Sequence, residues 1–106
     1  MDQIIAGTTP IVRYRFREVN AADIVTAFLT IKVDDQIVIE KTIESATIDT
    51  EKNTIEWRLT QEETLAMQDG DMMVEKMINY VLRDGNRGAA TATPIMMIPN
   101  HKNEVI

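Results

Sequence analysis

The sequence predicts an all-β domain, either an antiparallel sandwich or a small barrel of about seven or eight short strands. Two observations predict this class. Apolar and polar residues alternate through most of the chain, and turn-forming residues separate the alternating stretches at short intervals. The length of 106 residues suits one domain. We therefore expect residues 1–106 to form a single domain, with residues 99–106 as a flexible or docking tail.

The first half of the chain contains three alternating stretches. In "IVRYRFR", one face holds Val12, Tyr14 and Phe16, and the other holds Arg13, Arg15 and Arg17. The stretches "IVTAFLTIKV" and "IVIEKTI" flank the turn residues "DDQ", which predicts a hairpin. Its expected inward positions are Val25, Ala27, Leu29, Ile31, Val33, Ile37, Ile39 and Ile43.

The second half predicts two further hairpins. In "ATIDTEKNTIEWRL", two short strands flank a polar turn, and Ile55, Trp57 and Leu59 are expected to point inward. A long hairpin follows, with its turn at "DGN", because Gly85 tolerates a positive φ. One face of its first arm is expected to hold Met72, Val74, Ile78, Tyr80 and Leu82. Pro94 in the second arm predicts an edge or a bulge.

A single short helix is predicted from about residue 60 to residue 67. Thr60 and Glu63 have the spacing of a capping box, in which each side chain accepts a hydrogen bond from the other residue's backbone N–H. A helix this short is marginal alone, so it must dock, and Leu65 and Met67 are the expected contacts. In a sandwich, such a connection passes from one sheet to the other, and the helix would close one end of the core.

The sequence predicts no catalytic residue, no cofactor site and no metal site. There is no cysteine, and the only histidine, His101, lies in the polar tail, where we expect it to be exposed and idle. "DTEKN" and "DGD" resemble acidic ligand sets but suit solvated turns. A net charge of -6 argues against unaided nucleic-acid binding. No membrane-spanning run and no signal peptide are visible.

Two groups of residues carry hypotheses about partner binding. Arg13, Arg15 and Arg17 form either a solvated stripe paired with acids on the next strand, or a patch that meets an acidic partner. Met73 and Met77 share the face opposite Val74. A strand that is apolar on both faces is either central in its sheet or in contact with another protein. The second interpretation includes a homo-oligomer.

The order of these segments resembles a known family. "GTTPIVRYRF", "DIVTAFLTIKVDDQIVIEK", "TIEWRLTQEETLAM" and "DGNRGAAT" are similar in order to the N-terminal domain of upper baseplate proteins of phages that infect Gram-positive bacteria. In that family a "G-T/D-T" segment precedes the second strand, an "L-T-x-x-E-T" helix follows a later one, and a "D-G" hairpin precedes small residues. The resemblance covers Ile4 to about Ile98, and its specificity lies in the ordered set.

The resemblance implies an immunoglobulin-like sandwich in a non-enzymatic phage or prophage protein of the tail or baseplate. Its partners would be other tail or baseplate proteins, and it would be made in the host cytoplasm and reside in the virion. Family members continue into further regions, whereas this chain stops at Ile106, so we expect a stand-alone version. The alternative is a stand-alone sandwich that binds carbohydrate or cell-surface ligands, for which Trp57 or Tyr80 would line a groove.

Overall fold

The computed structural model describes residues 2–67, 73–90 and 92–101. In this part of the chain nine strands and one α-helix are present, so the prediction of a mostly β protein with one helix is confirmed. The strands are β1 (Asp2–Ile5), β2 (Ile11–Arg15), β3 (Ile24–Val33), β4 (Gln36–Thr42), β5 (Thr47–Asp49), β6 (Thr54–Arg58), β7 (Val74–Leu82), β8 (Arg87–Ala89) and β9 (Thr93–Ile98). The helix α1 is Gln61–Met67, and single 3-10 turns occupy Ala21–Asp23 and Ile43–Ser45. Met72, the "DGD" turn and residues 102–106 of the predicted tail lie outside the described residues.

The strands form two sheets. The larger has the order β1-β9-β7-β3-β4, with β8 also paired to β7, and the smaller has the order β2-β6-β5. All pairs are antiparallel except β1 and β9, which run parallel, so the larger sheet is mixed and the purely antiparallel prediction was wrong. β1 and β9 come from opposite ends of the described chain. No hairpin turn therefore sets their relative direction, and local sequence patterns do not reveal it.

Buried residues of both sheets form one core. The smaller sheet contributes Ile55 and Trp57, and the larger contributes Leu29, Ile31 and Ile78. Trp57, which alternation predicts to point inward, is only 1% exposed. Its indole N–H donates to the carbonyl oxygen of Thr42 at 2.8 Å. This hydrogen bond joins β6 of the smaller sheet to β4 of the larger, so Trp57 connects the two sheets by packing and by a polar contact.

Irregularities in the two ladders of β3, one with the extra residue Val25 in β3 and one with the extra residue Val38 in β4, overturn two inward assignments. Val25 is 52% exposed, and Ile24 is buried in its place, because the β3–β7 register shifts between Ile24 and Thr26. Ile37 is 55% exposed because the β3–β4 register shifts after Ile31. Alternation reverses across each such irregularity, since an extra residue on one strand changes which face the following side chains occupy.

The predicted turn of the long hairpin is present. Gly85 has a φ of +90°, a conformation that favours glycine. Asn86 donates from its backbone N–H and its side-chain amide to the carboxylate of Asp84, at 2.9 and 3.0 Å. These contacts fix β7 opposite β8 and so determine which residues of the second arm face the core.

The second arm of this hairpin is divided into β8 and β9. Ala89 lies opposite Asn79, and continuous pairing from there would place Ala92 opposite Lys76. Thr93 occupies that position instead, so one extra residue lies between the two strands. The offset lies in the arm where Pro94 predicted an edge or a bulge, but Pro94 itself pairs with Glu75 without a shift of register. The edge alternative was wrong, because β9 lies between β1 and β7. Pro94 precedes Ile95, the residue that pairs with Asp2, so its missing N–H interrupts no described β1–β9 pair.

Helix α1 has the predicted reciprocal cap. The N–H of Thr60 donates to Glu63 Oε1 at 2.8 Å, and the N–H of Glu63 donates to Thr60 Oγ1 at 3.1 Å. Met67 is fully buried as expected, but the second fully buried residue is Thr64, and Leu65 is only partly covered. The buried hydroxyl of Thr64 binds the connection between β1 and β2, because Thr64 Oγ1 accepts a hydrogen bond from the N–H of Gly7 at 3.0 Å.

Candidate functional site

An open groove runs along the outer edge of β2, between this strand and the larger sheet. We call it the β2 groove and define it by Arg13, Arg17, Lys76, Met77, Ala90 and Pro94, which all line its larger part. That part has a volume of about 780 Å³. A smaller part of about 280 Å³ continues beside Ile11 toward Ile95. Arg13 and Lys76 line both parts, so the groove follows the whole length of β2.

The groove lies where the smaller sheet ends at β2 and where the second arm of the long hairpin is interrupted. β2 is the terminal strand of the smaller sheet, and within residues 2–67, 73–90 and 92–101 it pairs only with β6. On the opposite wall, the second arm of the long hairpin is interrupted between β8 and β9. An unpaired strand edge therefore faces a gap in the neighbouring arm.

The groove is cationic in an acidic protein. Arg13, Arg17 and Lys76 line its larger part, and no Asp or Glu is among the described residues that do so. The whole chain has a net charge of -6, so this concentration of positive charge runs against its composition. A low-dielectric cleft lined with charge of one sign attracts ligands of the opposite sign. The groove therefore favours an anionic ligand or an acidic protein surface.

The three predicted arginines share a face of β2 and its extension, and all are exposed. Arg13 and Arg17 line the groove, whereas Arg15 does not. Arg13 also forms an ion pair with Glu56 at 3.1 Å across the β2–β6 ladder, with 60% of its own side chain exposed. Pairing with the next strand, the first of the two interpretations of the stripe, thus applies to Arg13. Arg17 has no ion pair within the described chain.

The two methionines are separated by the fold. Met77 lines the β2 groove and is partly buried, whereas Met73 is 64% exposed and lies outside the groove. β7 lies between β3 and the β8–β9 arm, so the interpretation of a central strand is correct. Centrality explains why this strand is apolar on both faces, and it leaves Met77 as the methionine that belongs to the site.

A row of aromatic rings extends from the groove into the protein, and Tyr14 is the ring that lines the groove. Tyr14 meets Phe16 edge-on, with centroids 5.1 Å apart, and Phe16 meets Tyr80 in the same way at 5.2 Å. Tyr80 lies over Gly88, where an added Cβ would come within 2.5 Å of the ring. Burial, and then the neighbouring Tyr14 and Glu18, raise the pKa of Tyr80. The Tyr80 hydroxyl therefore stays neutral, and the rings pack against one another.

The carbohydrate alternative predicted a groove lined by Trp57 or Tyr80. Trp57 is buried between the sheets, and neither residue lines the β2 groove. Among the described residues, Tyr14 is the aromatic residue that lines this groove, and it is partly buried. The two rings on which the carbohydrate alternative depended are therefore not in the groove.

The acidic and histidine features do not assemble into a site in the part of the chain that the structure describes. His101 is exposed, as predicted. Asp49 accepts hydrogen bonds from the backbone N–H groups of Glu51 and Lys52, both at 3.0 Å, which is a side-chain-stabilised turn. Among the described residues, no three His, Cys, Asp or Glu side chains are placed to hold a metal ion.

No described helix has the length and apolar character needed to cross a bilayer.

Two residues of the site were not predicted. Lys76 lies opposite Ile31, on the inward side of β7. A charged residue among inward apolar positions of this strand was the feature of the sequence that could have indicated a site. Asn53, assigned only to a turn, donates to the carbonyl oxygens of Phe16 and Val19 at 2.9 and 2.8 Å. These bonds hold the segment that follows β2 and so position Arg17. Nothing in the alternation pattern indicates that contact, because it joins distant parts of the chain.

Comparison with known proteins gives no relative that assigns a function. No protein-family model matches the chain. No curated protein matches it either.

Proposed function

We propose that this protein is a non-enzymatic structural component of a phage or prophage tail or baseplate, where it acts as a protein–protein docking module in the virion. The observation that carries the proposal is the β2 groove, a cationic cleft with an apolar wall in an acidic chain. Its partner would be another tail or baseplate protein that presents an acidic surface.

The strand order supports the immunoglobulin-like part of the proposal. If β2 to β7 are named B, C, C′, D, E and F, and the β8–β9 arm is named G, the smaller sheet reads B-E-D and the larger reads C′-C-F-G. This order of strands B to G resembles that of variable-type immunoglobulin domains, whereas β1 lies beside β9 in the larger sheet and no C″ strand is assigned in the described residues. Helix α1 then lies in the connection from E to F, the slot that the "L-T-x-x-E-T" segment occupies in the resembled family.

The side chains of the groove suit a protein partner. Arginine forms planar, paired hydrogen bonds with carboxylates, and it is enriched at protein interfaces. Methionine adapts its shape to the surface it meets. Met77 beside Arg13 and Arg17 thus combines an adaptable apolar contact with two charged ones. Contacts of this mixture favour recognition of an acidic protein surface that carries some apolar side chains.

The test uses two matched charge reversals. Arg17→Glu changes a groove residue that has no ion pair in the described chain, so its loss exposes no partner. Arg87→Glu makes the same change of charge on exposed β8, at a residue that does not line the groove. Each variant is co-expressed with the tail and baseplate proteins of the same phage or prophage, and binding of the captured complex is measured.

We expect Arg17→Glu to weaken binding by roughly tenfold or more, and Arg87→Glu to change it much less. Wild-type protein should also be detected by mass spectrometry in purified particles. Equal binding by the two variants would show that the partner does not bind at the β2 groove. Absence of the protein from particles that contain the other tail proteins would contradict the proposed virion location.

A further inference from the structure

Within the described residues, one edge of β2 makes no backbone hydrogen bond. Pro10 accepts from the N–H of Leu59, and the N–H of Phe16 donates to Asn53, both at 2.9 Å. Hydrogen-bonded and non-hydrogen-bonded pairs alternate along antiparallel strands, so these two bonds determine which residues of β2 direct their backbone N–H and C=O groups toward β6. The backbone groups of Val12 and Tyr14 thus face β6, and those of Ile11, Arg13 and Arg15 point away from it.

This edge opens onto the groove and is not covered by any strand in the described ranges. Ile11 and Arg13 line the smaller part of the groove, and Arg13 lines both parts. Ile11 is 43% exposed and lies on the same face of β2 as Arg13 and Arg15. The outward N–H and C=O groups of Ile11 and Arg13 therefore open onto the groove.

We propose that the β2 groove binds an extended acidic segment of a partner protein, which pairs with the free edge of β2 and extends the smaller sheet by one strand. This inference rests on the proposed docking function and identifies the kind of segment that docks. Strand addition supplies affinity through backbone hydrogen bonds and specificity through alternate side chains.

Charge decides which strand fits. Alternate side chains of the added strand lie on the outer face beside Arg13 and Arg15, so carboxylates at these positions form opposite-charge cross-strand pairs. Two copies of β2 paired with each other would instead place arginine beside arginine, which is destabilising. The same charges that discourage self-pairing of this edge favour an acidic partner strand.

The side chains between the carboxylates would point into the groove. There they meet Ile78 and Ala90, which belong to the core or pack against it. β2 has five residues, an edge of about 17 Å at about 3.4 Å per residue. The fitting segment is therefore about five to seven residues long, with acidic residues alternating with small or medium apolar ones.

The probe is an acetylated, amidated peptide of about seven residues in which glutamate alternates with valine. In the ¹⁵N-labelled free protein, the amides of Ile11, Arg13 and Arg15 should exchange rapidly with solvent, and those of Val12 and Tyr14 slowly. Addition of the peptide up to about 1 mM should shift and protect the first set. Unchanged shifts and exchange at Ile11, Arg13 and Arg15 would overturn the proposal.

Two further peptides test backbone pairing without altering the protein. Both carry N-methyl groups at every second residue, in the two complementary patterns. Only one edge of the added strand faces β2, so one pattern should weaken binding by at least about tenfold and the other should not. Equal loss or equal retention would contradict strand addition. A peptide with lysine in place of glutamate should also bind at least about tenfold more weakly.

Other outcomes identify other occupants or separate the two proposals. In sedimentation experiments we expect the protein alone to form no dimer at the β2 edge. A dimer that the Glu-Val peptide disrupts would mean that a second copy of the protein occupies this edge. If a tail protein binds in an Arg17-dependent way while the amides of Ile11, Arg13 and Arg15 stay unprotected in that complex, docking stands and strand addition fails. If no tail protein binds but the peptide protects these amides, strand addition stands and the tail assignment fails.

Discussion

Trp57 is the residue on which the contact between the two sheets most depends. Its ring lies in the shared core, and its N–H is bonded to the carbonyl oxygen of Thr42 in the opposite sheet. Alternation in "TIEWRL" was enough to predict that the ring points inward. The hydrogen-bond partner was not predictable, because Thr42 lies in another sheet and no local pattern pairs the two residues.

Replacing Trp57 by alanine should lower the free energy of unfolding by about 3 kcal/mol or more, because it leaves a cavity and an unpaired carbonyl. Trp57→Phe keeps a six-membered aromatic ring in the core and removes the five-membered ring with its N–H, so we expect a smaller effect than that of alanine. Thermal and urea unfolding followed by circular dichroism measure both. An alanine variant within about 1 kcal/mol of wild type would contradict the role of this ring in the core.

At the residue scale, the errors of sequence reasoning also have a specific cause. Val25 and Ile37 are apolar and fall at positions expected to be inward, yet both are exposed. Val25 is the extra residue of the β3–β7 ladder, and Ile37 is next to Val38, the extra residue of the β3–β4 ladder. One sequence does not show where such a position falls, because the irregularity belongs to a pair of strands.

Helix α1 shows how an element forms from local signals and is then stabilised by tertiary contacts. The cap between Thr60 and Glu63 is local and was predictable from four residues. Lys41 of β4 lies 3.0 Å from the same Glu63 carboxylate. Burial raises the pKa of Glu63, but the hydrogen bond from the Thr60 N–H and the Lys41 ammonium lower it by more, so its pKa lies below the ordinary value.

This pKa predicts how the helix responds to acid. The unfolded chain takes up the Glu63 proton at higher pH than the folded protein does. The stabilisation due to Glu63 is therefore complete above the unfolded-state pKa and is lost as the pH falls through the folded-state value. We expect the stability difference between wild type and Glu63→Gln to shrink between roughly pH 6 and pH 3, in urea titrations.

Glu62→Gln is the matched control for the acid experiment. Glu62 is exposed in the same first turn of α1. It lacks the Lys41 contact, so its substitution should change the pH profile less. A Glu63→Gln profile parallel to that of wild type over the whole range would show that the contacts with Thr60 and Lys41 do not couple to stability.

The second arm of the long hairpin marks the limit of local reasoning at the scale of elements. The turn at Gly85 was predictable, since glycine there accepts a positive φ. Pro94 indicated an edge or a bulge, but not that the arm divides into β8 and β9 or that the gap faces β2. Both features depend on β9 pairing with β1, a strand from the other end of the chain. The groove was therefore outside the reach of any pattern within one hairpin.

At the scale of the whole molecule, one core serves both sheets, which predicts cooperative unfolding. The chain has a single tryptophan, Trp57, and it reports on the smaller sheet. Leu29 is fully buried in the larger sheet. Leu29→Ala should therefore lower the urea midpoint of Trp57 fluorescence and that of far-ultraviolet circular dichroism together, with a cost of about 2–5 kcal/mol.

Ile37→Ala is the control, because Ile37 lies in the larger sheet but is largely exposed. It should leave both midpoints close to those of wild type. Separate midpoints for fluorescence and circular dichroism, or a Leu29→Ala change seen by one probe alone, would show that the two sheets unfold as independent units.

The sequence by itself determined β2 to β7, the capped helix, the turn at Gly85 and the exposure of the three arginines, because each depends on residues only a few positions apart. Tertiary structure decided the parallel β1–β9 pair, the division of the strands between two sheets and the meeting of Arg13, Arg17, Lys76 and Met77 in one groove. Periodicity specifies which side of a strand is apolar, whereas it carries no information on which strand lies beside it. The candidate site arises from such neighbours, since it is the space between an unpaired edge and an interrupted arm.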